Sequence, residues 1–136
     1  MAHALLSSKP LVPDTGLAAI RILVGLLMAY HGLEIFQPDV MAGYQEWDVI
    51  KQMPSPVLMV YLGKGLEFVT GVCFILGLFT RVAALLMAID LLFICFVVGK
   101  GRFYYEDQHP FLFALLALVY FFAGPVKWSL DQRLFK

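Results

Sequence analysis

Residues 57–99 read VLMVYLGKGLEFVTGVCFILGLFTRVAALLMAIDLLFICFVVG. This stretch holds two apolar runs, each close to the roughly 20 residues that a helix needs to cross a hydrocarbon layer. Only Thr80 and its immediate neighbours separate the two runs. Since so short a connection leaves no room for a crossover, the stretch predicts an antiparallel pair of membrane helices at about 57–79 and 81–99.

Two further apolar runs flank this hairpin, at about 16–36 and 110–124. Prolines mark their limits, because proline is tolerated in the first turn of a helix and stops a helix elsewhere. Pro13 precedes the first run and Pro125 follows the last one. The sequence therefore predicts an all-α fold, a four-transmembrane-helix antiparallel bundle in which residues 1–136 form a single membrane domain.

Composition agrees with a membrane protein. The chain has 136 residues, of which 61% are hydrophobic and 15% charged, and its net charge is zero. A lipid bilayer is the expected surrounding, and without a basic stripe no nucleic acid is an expected partner. Cys73 and Cys95 lie in different apolar runs and form no CxxC pair, which argues against a thiol relay or a thiolate metal site.

Basic residues between the runs predict the orientation, because lysine and arginine favour the cytoplasmic side. With a cytoplasmic N-terminus, the cytoplasmic side receives Lys9, Arg81, Lys127, Arg133 and Lys136, and the outer side receives Lys51, Lys100 and Arg102. The bias predicts that both termini of a multi-pass membrane protein are cytoplasmic.

Charged residues interrupt three of the runs. A charge at the centre of a membrane helix costs at least about 2.5 to 3.5 kcal/mol, so such residues normally face the bundle interior. At a rise of about 1.5 Å per residue, Arg21 lies roughly 8 Å from the cytoplasmic end of its run, Asp90 roughly 14 Å and Glu67 roughly 18 Å. The simplest neutralisation is a structural ion pair between Arg21 and Asp90.

His31 and Lys64 both fall near 22 Å on the same scale, toward the outer half. Lys64 and Glu67 are neighbours at i, i+3 on one helix. Together with His31 they are the candidates for ligand binding or proton relay, although each of them is also explained by packing or by a structural ion pair. Glu106 and His109 form a weaker outer cluster at the start of the fourth helix, where capping and loop roles are the ordinary explanation.

Several chemistries have no support. His31 has no expected partner at its depth, because His109 lies at the edge of its run, so no bis-histidine haem is predicted. The chain has no phosphate-binding loop, no dinucleotide fingerprint and no positioned nucleophile. We predict no metal site and no intrinsic cofactor, and any flavin or nicotinamide would come from a partner protein.

Four short motifs resemble those of the DoxX-like family of small four-helix membrane proteins. They read HGL at 31–33, GLE at 65–67, LGLFTR at 76–81 and GPVKWSLD at 124–131. The residues that match polar positions of the family motifs are Arg21, His31, Glu67 and Arg81. The family often has a second glycine where this chain has Val126, and a glutamate or tyrosine where it has Gln108 and His109.

The resemblance implies several activities, since relatives include subunits of a thiosulfate:quinone oxidoreductase and proteins linked to quinone or catechol stress. It favours a quinone-linked redox-associated membrane subunit, with quinone as a possible cofactor. Glu67 and His31 would then hydrogen-bond the quinone carbonyls and relay protons. The alternative is a non-catalytic membrane scaffold or assembly partner that docks other membrane subunits or a second copy of itself. A small transporter ranks third. The resemblance also implies a multi-pass protein of the bacterial cytoplasmic (inner) membrane.

Overall fold

The computed structural model describes residues 5–135, and these residues form helices without any β-strand. In chain order the helices are α1 Pro13–Gly32, α2 Pro38–Gln45, α3 Asp48–Lys51, α4 Pro56–Leu76, α5 Thr80–Phe93, α6 Gln108–Ala123 and α7 Asp131–Leu134. A 3₁₀ turn, Leu33–Phe36, extends α1, and a π-helical turn, Ile94–Val98, extends α5. The predicted all-α fold is confirmed for this part of the chain.

Three helical segments are long and apolar enough to cross a membrane: Pro13–Phe36, Pro56–Leu76 and Thr80–Val98. The fourth apolar helix, α6, is shorter at 16 residues. The ends of all four lie within three residues of the predicted ends. The chain is therefore a multi-pass membrane protein, while its treatment as one domain stays a prediction.

Helices α1 and α4 make the closest contact in the bundle, through glycines. A methyl group added at Gly25 would lie 2.7 Å from the backbone oxygen of Gly71 and 2.7 Å from the backbone nitrogen of Ile75. The two backbones thus touch without intervening side chains, as small residues allow in membrane helix pairs. Ala18, Arg21, Gly25 and Gly32 fall on one narrow face of α1 at the helical period, which predicts that this face points into the bundle, and all four are buried.

On α4 the four-residue spacing of Gly63, Glu67 and Gly71 predicts a single stripe for close helix approach, but the two glycines contact different helices. Gly71 faces α1, but Gly63 faces α5, where an added methyl group would lie 3.6 Å from Oδ1 of Asp90. That separation is an ordinary van der Waals contact. Close helix approach on α4 is therefore limited to its second half.

Helices α5 and α6 complete the bundle against this pair. Tyr120 of α6 is fully buried and packs edge-on against Phe74 of α4, with ring centroids 5.4 Å apart. Its hydroxyl donates a hydrogen bond of 2.6 Å to the backbone oxygen of Leu17. This bond links α6 to the first half of α1.

Arg21 is fully buried and bonded entirely to backbone oxygens. Its Nε donates to Phe74 at 2.9 Å, its Nη1 donates to Pro125 and to Lys127, the latter at 3.0 Å, and its Nη2 donates to Trp128 at 2.8 Å. We call these four carbonyl oxygens the carbonyl cradle. The planar guanidinium supplies donors in a fixed fork, which suits several fixed acceptors at once.

The predicted ion pair between Arg21 and Asp90 is wrong. Helix α1 packs mainly against α4, and Asp90 on α5 lies against Gly63 of α4. The arginine therefore meets backbone oxygens at one end of the bundle, and Asp90 lines the same cavity as Lys64 and Glu67. The depth scale placed Asp90 near Glu67, but it could not show which helices are neighbours.

Two of the motifs that carry the family resemblance pack against each other. The backbone N–H of Leu130 donates to the oxygen of Leu76 at 3.0 Å, and that of Asp131 donates to Gly77 at 2.9 Å. In return, the Asp131 carboxylate accepts the N–H groups of Phe79 at 2.6 Å and Thr80 at 2.8 Å, which start α5. A carboxylate in this position caps a helix. These motifs therefore hold the helical hairpin to the end of the chain.

The segment that carries three of the cradle oxygens has an unusual backbone. Val126 and Trp128 both have φ of 53°, in the left-handed region that non-glycine residues rarely adopt. For a β-branched residue such as Val126 this conformation is strained. It lies at the position where the family often has glycine.

Candidate functional site

A cavity of about 390 Å³ lies between α4 and α5. Its wall is almost entirely apolar, and the α2–α3 segment (residues 38–51) closes one end with Tyr44, Trp47 and Ile50. Three ionisable side chains also line it: Lys64, Glu67 and Asp90. Such a combination is typical of sites for amphipathic small molecules.

Lys64 is the centre of the polar group. Its ammonium lies 2.9 Å from Oε2 of Glu67 and 2.8 Å from Oε2 of Glu34, which comes from the 3₁₀ turn after α1. The Lys64 and Glu67 side chains are 13% and 8% exposed, so these contacts are largely shielded from water. The predicted pairing of Lys64 with Glu67 is thus present, and Glu34 is an additional carboxylate in it.

Tyr44 connects this group to the α2–α3 segment. Its hydroxyl donates a hydrogen bond of 2.7 Å to Oε2 of Glu34, and the Lys64 ammonium lies 5.0 Å from its ring centroid. Burial, followed by the hydrogen bond to Glu34, raises the pKa of Tyr44 above its usual value. The neutral phenol therefore holds the segment over the cavity as a hydrogen-bond donor.

Asp90 differs from Glu34 and Glu67 because its carboxyl group forms no ion pair within residues 5–135. The residue is 8% exposed, and its buried Oδ2 has no hydrogen-bond partner among residues 5–135. Lys64 is already shared between Glu34 and Glu67. An unsatisfied carboxyl in an apolar setting is costly, so Asp90 is suited to bind a hydrogen-bond donor that enters the cavity.

The π-helical turn at the end of α5 contributes Ile94 and Val98 to the cavity wall. An extra residue in a helical turn is rare and is found most often beside functional sites. Here the turn widens the helix where α5 passes the α2–α3 segment. The cavity thus lies next to an irregular stretch of one of its two main helices.

His31 does not line the cavity. It lies beside His109 of α6, with ring centroids 6.0 Å apart, and both side chains are exposed. The structure therefore separates His31 from the relay that the sequence predicted with Lys64 and Glu67. It also overturns the expectation that His31 has no partner.

The weaker outer cluster is divided in the same way. Glu106 pairs with loop cations, at 3.3 Å from Nζ of Lys100 and 3.2 Å from Nη1 of Arg102. These contacts are exposed and contribute little to stability. Glu106 is a loop residue, which is the ordinary explanation weighed for it, and His109 belongs with His31.

Sequence reasoning missed two members of the site and misplaced a third. The sequence gives no sign that Glu34 and Tyr44 approach Lys64, because they come from the turn after α1 and from the α2–α3 segment. Asp90 was noticed as a buried charge but assigned to Arg21. Its separation from Glu67 by roughly 4 Å in depth was a signal that the two share one level of the bundle.

The arrangement offers one strong donor and several acceptors at the edge of an apolar space. Lys64 supplies N–H groups, while Glu67 and Asp90 supply carboxyl oxygens. Among residues 5–135 no group of three or more histidine, cysteine or acidic side chains has the arrangement needed to hold a metal. The cavity is suited to a ligand with an apolar body and oxygen atoms that accept or donate hydrogen bonds.

Residues 16–100 match the sequence profile of DoxX. The chain belongs to the DoxX family. The matched part of this DoxX protein includes α1, the α2–α3 segment, α4 and α5, and hence every polar residue of the cavity. The closing motif at 124–131 lies beyond it.

Two relatives are described as uncharacterized proteins. One, from Haemophilus influenzae, is 31% identical over 129 residues, which cover 88% of this chain and 91% of the relative. The other, a membrane protein of Mycobacterium tuberculosis, is 33% identical over 132 residues, which cover 86% of this chain and 80% of the relative. No solved structure matches this DoxX protein.

Proposed function

We propose that the protein is a quinone-linked membrane subunit of the bacterial inner membrane, and that the cavity between α4 and α5 binds the quinone head group. The single observation that carries the proposal is Asp90, a carboxyl without a partner inside a 390 Å³ apolar cavity. A volume of this size is at the lower end of small-molecule sites, which suits one ring with its tail extending into lipid.

The chemistry of a quinone fits the polar edge of the cavity. In the oxidised form the carbonyl oxygens accept hydrogen bonds, for which Lys64 is the donor. In the reduced form the same oxygens carry protons, for which Asp90 and Glu67 are acceptors. Reduction takes two electrons and two protons; the electrons come from a redox partner protein outside this chain, and the carboxyl groups exchange the protons.

The α2–α3 segment is the proposed entrance. Tyr44 holds it to Glu34, and Glu34 in turn binds Lys64. A ligand oxygen that competes for Lys64 would loosen this chain of contacts. Binding and opening of the segment are therefore expected to be coupled.

Substitution of Asp90 by leucine tests the proposal directly. Because Oδ2 is unpaired, an apolar residue of similar size removes a desolvation cost, and we expect Asp90→Leu to leave the stability in detergent equal or higher. We expect the same variant to retain about one tenth or less of the quinone that wild type retains after gentle extraction. The reason is that a lost hydrogen bond to a charged group is worth more than about 1.4 kcal/mol. Quinone is measured by chromatography per mole of purified protein.

A second pair of variants separates the cavity from general damage. Gly63→Leu places a side chain in the cavity, whereas Gly16→Leu adds the same side chain where nothing lies within 4 Å. We expect only Gly63→Leu to lose quinone. Wild-type protein that carries no quinone, together with Glu67→Gln that leaves quinone-dependent activity in native membranes unchanged, would reject the proposal in favour of the scaffold alternative.

A further inference from the structure

His31 and His109 meet at one end of the bundle, although 78 positions separate them in the chain. His31 lies in the last turn of α1 and His109 in the first turn of α6. Their ring centroids are 6.0 Å apart, and both side chains are exposed. The pair lies outside the cavity lining, so it is independent of the proposed quinone site.

The separation of the two rings matches a bridging metal ion. A metal binds an imidazole nitrogen at about 2.0 to 2.1 Å, so an ion between two facing imidazoles sets the ring centroids about 6 Å apart. The planes of the two rings are now inclined by 69°, with the edge of one directed at the other. Rotation about the side-chain torsions of two exposed histidines directs a nitrogen of each ring toward a shared point.

We propose that His31 and His109 together bind a first-row transition metal ion of the copper(II) or zinc(II) class. Imidazole is a preferred ligand of these ions, and calcium or magnesium would require oxygen ligands. The protein supplies two ligands, because the part of the chain that the structure describes holds no suitable group of three or more such side chains. Water or an external ligand fills the remaining positions.

Neighbouring carboxylates are engaged elsewhere, which keeps the site a two-histidine site. Glu34 binds Lys64 and Tyr44. Glu106 of the adjoining loop binds Lys100 and Arg102. Neither Glu34 nor Glu106 is therefore available as a third metal ligand.

Aromatic rings flank the two imidazoles on either side. The ring of Tyr30 lies 6.2 Å from that of His31, and the ring of Phe113 lies 5.0 Å from that of His109. Each imidazole therefore has one aromatic neighbour, and the side on which the two imidazoles meet stays open to an ion.

A bound ion would join the two helices where they lack another link of this kind. At the opposite end, the Tyr120 hydroxyl already ties α6 to Leu17 of α1. The histidine pair joins the last turn of α1 to the first turn of α6. An ion that binds only the folded state stabilises that state by mass action, so metal should raise the unfolding temperature.

Copper(II) titration tests the proposal in His3→Asn protein that carries no polyhistidine tag, so that the third histidine cannot bind the ion. We expect one copper(II) per chain, with an electron paramagnetic resonance spectrum showing superhyperfine coupling to two nitrogens. His31→Asn and His109→Asn should each reduce this to one nitrogen and weaken binding at least about tenfold, since the second ligand acts at high effective concentration. The rise in unfolding temperature with copper should vanish in both variants.

The third histidine provides the matched control. His3 lies outside the described residues, and His3→Asn should retain the two-nitrogen spectrum and the metal-induced stabilisation. Gly63→Leu should also retain them, so that loss of quinone and loss of metal are separate results. A two-nitrogen spectrum that persists in His109→Asn, or a His3→Asn protein that binds copper no better than the double variant, would overturn the proposal.

Discussion

Arg21 shows how a single membrane residue can be satisfied without a counter-ion. It is fully buried, and all its described hydrogen bonds go to main-chain oxygens. Carbonyl dipoles replace the carboxylate that the sequence led us to expect. The sequence could not reveal these acceptors, because every residue has a carbonyl and three of the four lie more than 100 positions away.

Arg21→Lys should therefore be strongly destabilising although it keeps the charge. A lysine ammonium cannot reach acceptors that surround a planar fork, and the carbonyls left without donors stay buried. We expect the free energy of unfolding to fall by about 2 to 4 kcal/mol, from the loss of one or two hydrogen bonds to a charged group. Unfolding in mild detergent measures the change, with Arg133→Lys, an exposed residue, as the control. If Arg21→Lys and Arg133→Lys were equally stable, the claim that the carbonyl cradle stabilises the fold would be contradicted.

Val126 allows a second prediction at this scale, because its φ is 53°. Glycine adopts this conformation without strain, which offsets its greater freedom in the unfolded chain and the packing that the valine loses. We expect Val126→Gly to change the free energy of unfolding by less than about 1 kcal/mol.

Val24→Gly is the control for this prediction, since Val24 is 3% exposed within α1. A buried helical valine loses both packing and helix propensity, so a cost of more than about 2 kcal/mol is expected. The two variants are compared in one detergent by thermal unfolding. A similar loss in both would show that the left-handed backbone at residue 126 carries no strain.

At the scale of helices, the bundle depends on how closely α1 and α4 approach. Gly25 and Gly71 allow their backbones to touch. The small residues predicted the contact on α1, because their spacing follows the helical period. On α4 the same argument is wrong for Gly63, which lines the cavity and faces α5.

Gly25→Leu should disrupt the bundle, because even a methyl group at this position meets backbone atoms at 2.7 Å. Backbone cannot move aside as a side-chain end can, so α1 and α4 must separate. We expect a loss of at least about 3 kcal/mol, at the upper end of overpacking effects. Gly16→Leu, in the open first turn of α1, should leave the unfolding temperature unchanged within about 2 °C. Comparable losses in the two variants would show that the glycine contact is unimportant.

At the scale of the whole molecule, the sequence shows how deep each residue lies along the bundle axis. It does not show which helices lie next to one another. A helix rises by a fixed amount per residue, so Asp90 and Glu67 were placed at similar depths. Which helices are neighbours depends on packing, and this decided that Asp90 meets Gly63 and not Arg21. For the same reason the sequence does not show that His31 and His109 are close together, because neither depth nor helical period indicates that α1 and α6 converge.

The orientation of the chain remains a prediction and can be tested. With four crossings both termini lie in the cytoplasm, as the lysine and arginine distribution favours. Reporter fusions after Leu134, one active only in the cytoplasm and one only outside it, should give signal from the cytoplasmic reporter alone. A fusion in the α2–α3 segment, at Gly43, should give the reverse. An external C-terminus would show that the 16-residue α6 does not cross.

The carbonyl cradle has a consequence for how the protein is made. Arg21 is synthesised more than 100 residues before Pro125, Lys127 and Trp128, which supply three of its four acceptors. Until residues 125–128 have been made, the guanidinium of the nascent chain can bond only to Phe74 among the cradle oxygens. The final packing of α1 therefore has to follow the synthesis of a segment that lies beyond α6.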